Sequence, residues 1–173
     1  MSQSNCCHDF SFKKVDLEQK RRRVCKNCGF VDYQNPKIVT GSIVIKNKKI
    51  LLCKRAISPS YGKWTFPSGY LDKNETPEEG AIREAQEEVN IKIKVEKLFI
   101  IFTVRKKNLV QFIFLAKHIN KTFKPGIETI EARYFDYKDL PWKSLAFPSV
   151  QYALKKIRKL PINLPIFHSF NKD

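Results

Sequence analysis

Between Gly69 and Ile91 the sequence reads GYLDKNETPEEGAIREAQEEVNI and gathers seven of the chain's 17 acidic residues into 23 positions, although the whole chain carries a net charge of +16. The stretch specifies a helix with a marked start. Thr76 supplies a capping hydroxyl, Pro77 suits the first helical position, and Glu79, three residues beyond the cap, completes a capping box. The predicted helix covers 77–89. Ala81, Ala85 and Val89 recur every four residues and make a small apolar face that packs on a sheet. Glu84, Glu87 and Glu88 are spaced by three and four, so three carboxylates share one side of the helix and repel one another. Solvated glutamates are the usual explanation of an acidic helix. Here Arg83 is the one cation inside the helix, so pairs along it cannot neutralise the cluster. Hard oxygen ligands on one rigid face are what Mg²⁺ or Mn²⁺ requires.

The flanking sequence surrounds this helix with strands. KIVTGSIVI (37–45), a polar turn at Lys46–Lys48 and KILLCKR (49–55) read as a hairpin. SPSYGKWTFPSG (58–69) has loop composition. IKIKV (91–95), KLFIIFTV (97–104) and LVQFIFLAKH (109–118) predict three strands, and GIETIEARYF (126–135) one more. PSVQYALKKIRKL (148–160) predicts an amphipathic helix with Val150, Ala153, Leu154 and Ile157 on its apolar face. The class is therefore α/β, and 173 residues with 42% hydrophobic content suit one domain with a small appendage. The appendage is residues 1–34, polar and basic, with CKNC at 25–28 and the run KRRR at 20–23, expected as a solvated loop flank.

No apolar run approaches the roughly 20 residues that span a bilayer, and the opening MSQSNCCHDF does not read as a signal peptide, so no membrane partner and a cytoplasmic location are expected. Five cysteines without an export signal argue for free thiols or a metal site rather than a disulfide framework. Cys53, inside an apolar strand, reads as a core thiol; His118 and His168 read as surface or packing residues. The excess of 33 basic over 17 acidic residues favours anionic ligands, but the lysines are scattered, which suits a solvated surface as well.

Gly69, Glu75, Arg83-Glu84-Ala85, Glu87-Glu88 and Ile91 resemble the signature of the Nudix hydrolases, G-x5-E-x7-R-E-U-x-E-E-x-G-U with U aliphatic. The departure is Asn90 in place of the last glycine, and asparagine is the mildest replacement where a left-handed backbone ends a helix. The resemblance implies an α/β/α sandwich with a mixed sheet over residues 35–173 and hydrolysis of a nucleoside diphosphate linked to another group. It implies that Glu84, Glu87 and Glu88 hold Mg²⁺ or Mn²⁺, with the Gly69 carbonyl as a further donor, and that Glu75 and Arg83 pair to orient these ligands. The base that deprotonates the attacking water is then Glu87 or Glu88, or Glu128 or Glu131 from the later strand.

Cys25-x2-Cys28-Gly29 resembles one zinc knuckle, and Cys6, Cys7 and His8 stand where a partner pair belongs. Residues 1–34 thereby resemble the zinc-ribbon appendage that precedes the Nudix domain in one subgroup, with a structural Zn²⁺. The adjacent pair Cys6-Cys7 departs from that pattern and leaves the fourth ligand open. Over residues 25–158 the similarity is to zinc-ribbon enzymes of the plant plastid type that split FAD and ADP-ribose into AMP and FMN or ribose 5-phosphate. Arg55 then offers a phosphate fork, and Tyr61, Trp64 and Phe66 offer faces for a base, although aromatic residues in such loops pack at least as often. Zinc-ribbon NADH pyrophosphatases, which also remove NAD caps from RNA, carry a Ser-Gln-Pro-Trp-Pro-Phe-Pro signature after the acidic helix; KIKVEKLFIIFTV stands there instead. Removal of pyrophosphate from RNA 5′ ends is a further alternative that the basic charge favours. A non-enzymatic nucleotide- or nucleic-acid-binding protein on the same scaffold would be expected to lose the glutamates, and all of them are present. Assembly is not legible in the sequence; a homodimer is simply the commonest soluble state.

Overall fold

Arg21, Arg22 and Arg23 lie in a strand and not in the loop flank expected of a basic run. The computed structural model describes residues 9–15, 19–120, 122–158 and 165–170 and divides the chain into two compact units, Met1–Pro36 and Lys37–Asp173. In the first, β1 (Phe10–Lys14), β2 (Arg21–Cys25) and β3 (Val31–Asp32) form an antiparallel sheet in that order. Cross-strand partners hold one of the arginines: the Arg23 guanidinium lies 4.4 Å from the Phe10 ring centroid and 2.9 Å from an Asp32 carboxylate oxygen, so its charge is paired across the sheet. In the turn after β2 the Gly29 N–H donates to the Cys25 carbonyl at 3.0 Å.

The second unit begins with β4 (Lys37–Lys46) and β5 (Lys49–Arg55). Asn47 and Lys48 join them with φ of 51° and 63°, the two-residue turn whose twist matches the strands it connects. There follow β6 (Trp64–Thr65), β7 (Ser68–Tyr70), α1 (Pro77–Val89), β8 (Ile93–Val104), β9 (Leu109–His118), β10 (Thr129–Phe135), α2 (Pro148–Ile157) and β11 (Ile166–Phe170). The sheet order is β10-β5-β4-β9-β8-β11, with β6 paired to β5 and β7 to β4. It is mixed: β4 runs parallel to β9 and β11 parallel to β8, while the other pairs are antiparallel.

Two expectations change. The segments read as separate strands at 91–95 and 97–104 belong to one 12-residue strand, β8. Its register against β9 shifts between Val95 and Lys97 and again between Leu98 and Ile100, so bulges absorb the breaks in alternation that looked like a strand end. The polar pair Glu96-Lys97 does not stop the ladder, because Glu96 finds Lys117 across it. The second change is β11, a strand beyond the closing helix, held on β8 by rings: Phe102 lies 5.0 Å from His168 and 6.1 Å from Phe170.

Strict alternation divides the interior into two cores on opposite faces of the sheet. Ile43, Ile50, Leu52, Ile113 and Leu115 pack with Val150, Ala153 and Leu154 of α2. Their strand neighbours Val44, Leu51, Cys53 and Ala116 pack with Ala85 and Val89 of α1. The architecture is an α/β/α sandwich in which α1 and α2 cover opposite faces. No described helix is long and apolar enough to cross a membrane.

Candidate active site

Helix α1 is pinned at both ends. The Thr76 hydroxyl accepts from the Glu79 N–H at 3.2 Å, and the Glu79 carboxylate accepts from the Thr76 N–H at 2.7 Å. Asn90 ends the helix in left-handed backbone, φ 52° and ψ 40°. Two carbonyls of the last turn are satisfied from outside: Gly126 N–H donates to Glu88 O at 2.8 Å and Lys124 N–H to Val89 O at 3.1 Å. Gly126 sits so close that a Cβ there would collide with the Glu87 carbonyl. The loop before β10 is thereby clamped to the acidic helix and carries Glu128 with it.

Arg83 organises the carboxylates. It forks onto Glu75, Nε to Oε2 at 3.1 Å and Nη2 to Oε1 at 2.8 Å, while Nη1 donates to Glu84 at 2.7 Å and to Glu87 at 2.9 Å. Nη2 also donates to the Tyr70 carbonyl at 3.0 Å, and the Asp72 N–H reaches Glu75 at 2.7 Å. The Arg83 fork, then the Asp72 N–H, hold Glu75 below the usual carboxylate range. The arginine's own pKa rises further, first through Glu75. Burial pushes Glu84 up against the opposing pull of Arg83. Glu88 points away from Arg83. Its Oε2 accepts from the Cys53 thiol and the Ser68 N–H, both at 3.3 Å, and burial still pushes it to about 7. Cys53 is the expected core thiol, 1% exposed, yet it touches the site; burial and then the Glu88 charge push its pKa well up.

As they stand, no three His, Cys, Asp or Glu side chains among the described residues converge to hold a metal ion, and the Arg83 guanidinium bridges Glu84 and Glu87. The donor set nevertheless fits a hard divalent cation. Glu84 and Glu88 are buried, at 8% and 7% exposure, and burial raises the pKa of each even though Glu84 is paired with Arg83, so added positive charge would favour their ionised forms. Gly69 leaves room for the Glu84 carboxylate, with which a Cβ would collide. Glu84, Glu87, Glu88, Gly69 and Glu128 line one cleft of about 910 Å³.

The NUDIX domain profile matches residues 36–155, which include every one of these groups. The chain belongs to the Nudix hydrolases. This Nudix hydrolase is similar to an ADP-ribose pyrophosphatase of Methanocaldococcus jannaschii, 32% identical over 139 residues that make up 78% of this chain and 75% of the relative. It is also similar to an RNA pyrophosphohydrolase of Nitratiruptor sp., 31% identical over 149 residues, 79% of this chain and 90% of the relative. The crystal structure of a NUDIX hydrolase from Nitrosomonas europaea matches it with a TM-score of 0.89 at 34% identity, covering 98% of both chains. Pyrophosphate hydrolysis is the chemistry common to the named relatives; their substrates differ. Nudix hydrolases generally use a divalent metal.

The other residues singled out in the sequence of this Nudix hydrolase fall apart into those in the cleft and those outside it. Arg55 is in the cleft, its guanidinium 5.2 Å from the Phe147 ring centroid and its Nε donating to the Pro59 carbonyl at 2.9 Å. Glu131 is not; it faces Arg133 at 3.9 Å on β10. Trp64 and Phe66 are core residues, 6% and 0% exposed, and Trp64 meets Phe135 edge-on at 5.0 Å, so neither has a face left for a base. Tyr61 is exposed but lies outside the cleft lining. The aromatic residues that do line it are Tyr70, Phe147 and Phe170. Phe147 precedes α2 and Phe170 sits in the unanticipated β11, so neither carried a motif; the one available signal was Phe147-Pro148 at a helix start. Of the expected zinc ligands, Cys25 is buried and Cys28 exposed, and Cys6, Cys7 and His8 lie outside the described residues.

Proposed function

We propose that this Nudix hydrolase cleaves the pyrophosphate bond of an adenine nucleoside diphosphate derivative, ADP-ribose or FAD, releasing AMP and ribose 5-phosphate or FMN. The observation that carries the proposal is the gathering of Glu84, Glu87, Glu88 and Glu128 in the lining of one cleft large enough for a dinucleotide-sized ligand. The likeness to an ADP-ribose pyrophosphatase supports the substrate class.

Glu84, Glu87 and Glu88, with the Gly69 carbonyl, would hold Mg²⁺ or Mn²⁺, which neutralises charge on the diphosphate oxygens and lowers the pKa of water beside them. Arg83, fixed by its fork onto Glu75, keeps Glu84 and Glu87 aimed at the cleft. The Cys53 thiol and the Ser68 N–H hold Glu88 in one rotamer. Glu128, exposed and carried by the clamped loop, faces the same space and takes the proton of the attacking water. Arg55, which lines the same cleft, meets a phosphate of the substrate. Water adds to one phosphorus, the bridging oxygen leaves with the other, and two monophosphates result.

The test is product formation from ADP-ribose, FAD, NADH and 5′-triphosphorylated RNA in Mg²⁺ and in a chelator. AMP release from ADP-ribose or FAD, abolished by chelation and by Glu88→Gln, is the expected result. Turnover of RNA alone would transfer the assignment to RNA 5′ ends, and unchanged turnover in Glu88→Gln would end the proposed role of that residue.

A further inference from the structure

Away from the glutamates, the cleft holds a polar side chain that the chemistry above does not use. Gln111 on β9 is 6% exposed and lines the cleft, and among the described residues nothing hydrogen-bonds its carboxamide. A carboxamide that opens only onto a cleft and has no protein partner keeps its donor and its acceptor free for a ligand. Its surroundings are apolar. In register it lies between Val39 of β4 and Phe102 of β8, and Val104, Leu109 and Phe170 line the same region. Ser149, in the first turn of α2 and also 6% exposed, brings a hydroxyl to this cleft, likewise without a partner among the described residues. Two unpartnered polar groups set into apolar walls fit a flat ring with polar edges. The cations that line the same cleft, Arg55 and Lys107, are left for the phosphates.

We propose that Gln111 reads the base of the substrate: adenine lies on the apolar floor made by Val39, Val104, Leu109 and Phe170, and exchanges two hydrogen bonds with the Gln111 carboxamide. The amide oxygen accepts from the adenine amino group, and the amide NH₂ donates to the adjacent ring nitrogen, the pairing that glutamine makes with adenine edges elsewhere. The choice of adenine rests on the ADP-ribose or FAD reading; the placement of a base at Gln111 does not.

Calorimetric titration of the full chain with AMP, GMP, CMP and UMP in Mg²⁺, beside kcat and KM for ADP-ribose, tests this. The wild type is expected to bind AMP about 10-fold or more tightly than UMP. Gln111→Leu, which removes an unpaired polar group and should fold at least as well, is expected to weaken AMP binding about 10- to 100-fold. It should raise the KM for ADP-ribose in proportion, leave kcat within about two-fold and leave UMP binding unchanged. Gln111→Glu, which replaces the donor with a second acceptor, should lose the same preference. The inference is overturned if the wild type does not prefer AMP, or if both variants keep the preference. Failure of the substrate proposal shows separately, as no Mg²⁺-dependent AMP release from ADP-ribose or FAD, whatever the binding preference.

Discussion

Glu88 is a carboxylate whose burial opposes its ionisation. Burial lifts its pKa to about 7, above the ordinary carboxylate value near 4.3, so between those values the folded state binds a proton that the unfolded state has lost. Metal-free protein is therefore expected to lose stability as pH rises from about 4.3 to about 7, by about 4 kcal/mol at most. Urea unfolding in chelator at several pH values measures this; a slope of the opposite sign would contradict it. Glu88→Gln should flatten that part of the profile, and so should saturating Mg²⁺, which supplies the missing positive charge. Arg83 carries a different requirement. Its two-pronged contact with Glu75 and its bridge to Glu84 and Glu87 need a planar fork that lysine does not have. Arg83→Lys should lower kcat about 10- to 100-fold by loosening the aim of those carboxylates, with a thermal midpoint close to that of the wild type.

At the scale of elements, the site depends on how α1 ends. Asn90 holds left-handed backbone and donates through Nδ2 to the Lys124 carbonyl at 3.2 Å. Asn90→Ala loses both the tolerance and the hydrogen bond and should cost about 1–2 kcal/mol. Asn90→Gly regains the backbone freedom and should cost less than half of that, as measured by denaturant midpoints; equal losses would show that only the side-chain contact matters. This helix was readable from sequence to the residue, because its cap, its proline and its left-handed terminator are local signals. The strands were less so. Nothing near Glu96 says whether a polar pair ends a strand or sits in a bulge; the partner ladder on β9 settles that. Nor does IFHSF at 166–170 announce a strand, since its pairing with β8 comes from a segment more than 60 residues earlier.

Taken as a whole molecule, the protein places a cluster of carboxylates inside a chain of net charge +16. A basic surface attracts an anionic substrate over roughly 8–10 Å at moderate salt, and the attraction is screened as salt rises. The KM for ADP-ribose is expected to rise several-fold between about 50 and 500 mM salt, with kcat nearly constant; a flat KM would mean that the scattered lysines only solvate the surface. The glutamate signature, the capped helix that carries it, and the α/β class were all determined by the sequence alone, since each rests on spacing along one element. Which aromatic residues face the ligand was not. Trp64 and Phe66 stand in a loop-like stretch but are pulled into the core, while Phe147, Phe170 and Gln111 reach the cleft from three distant segments. Only tertiary structure decides such matters, because burial and a shared cleft are properties of elements packed together and leave no periodicity in any one of them.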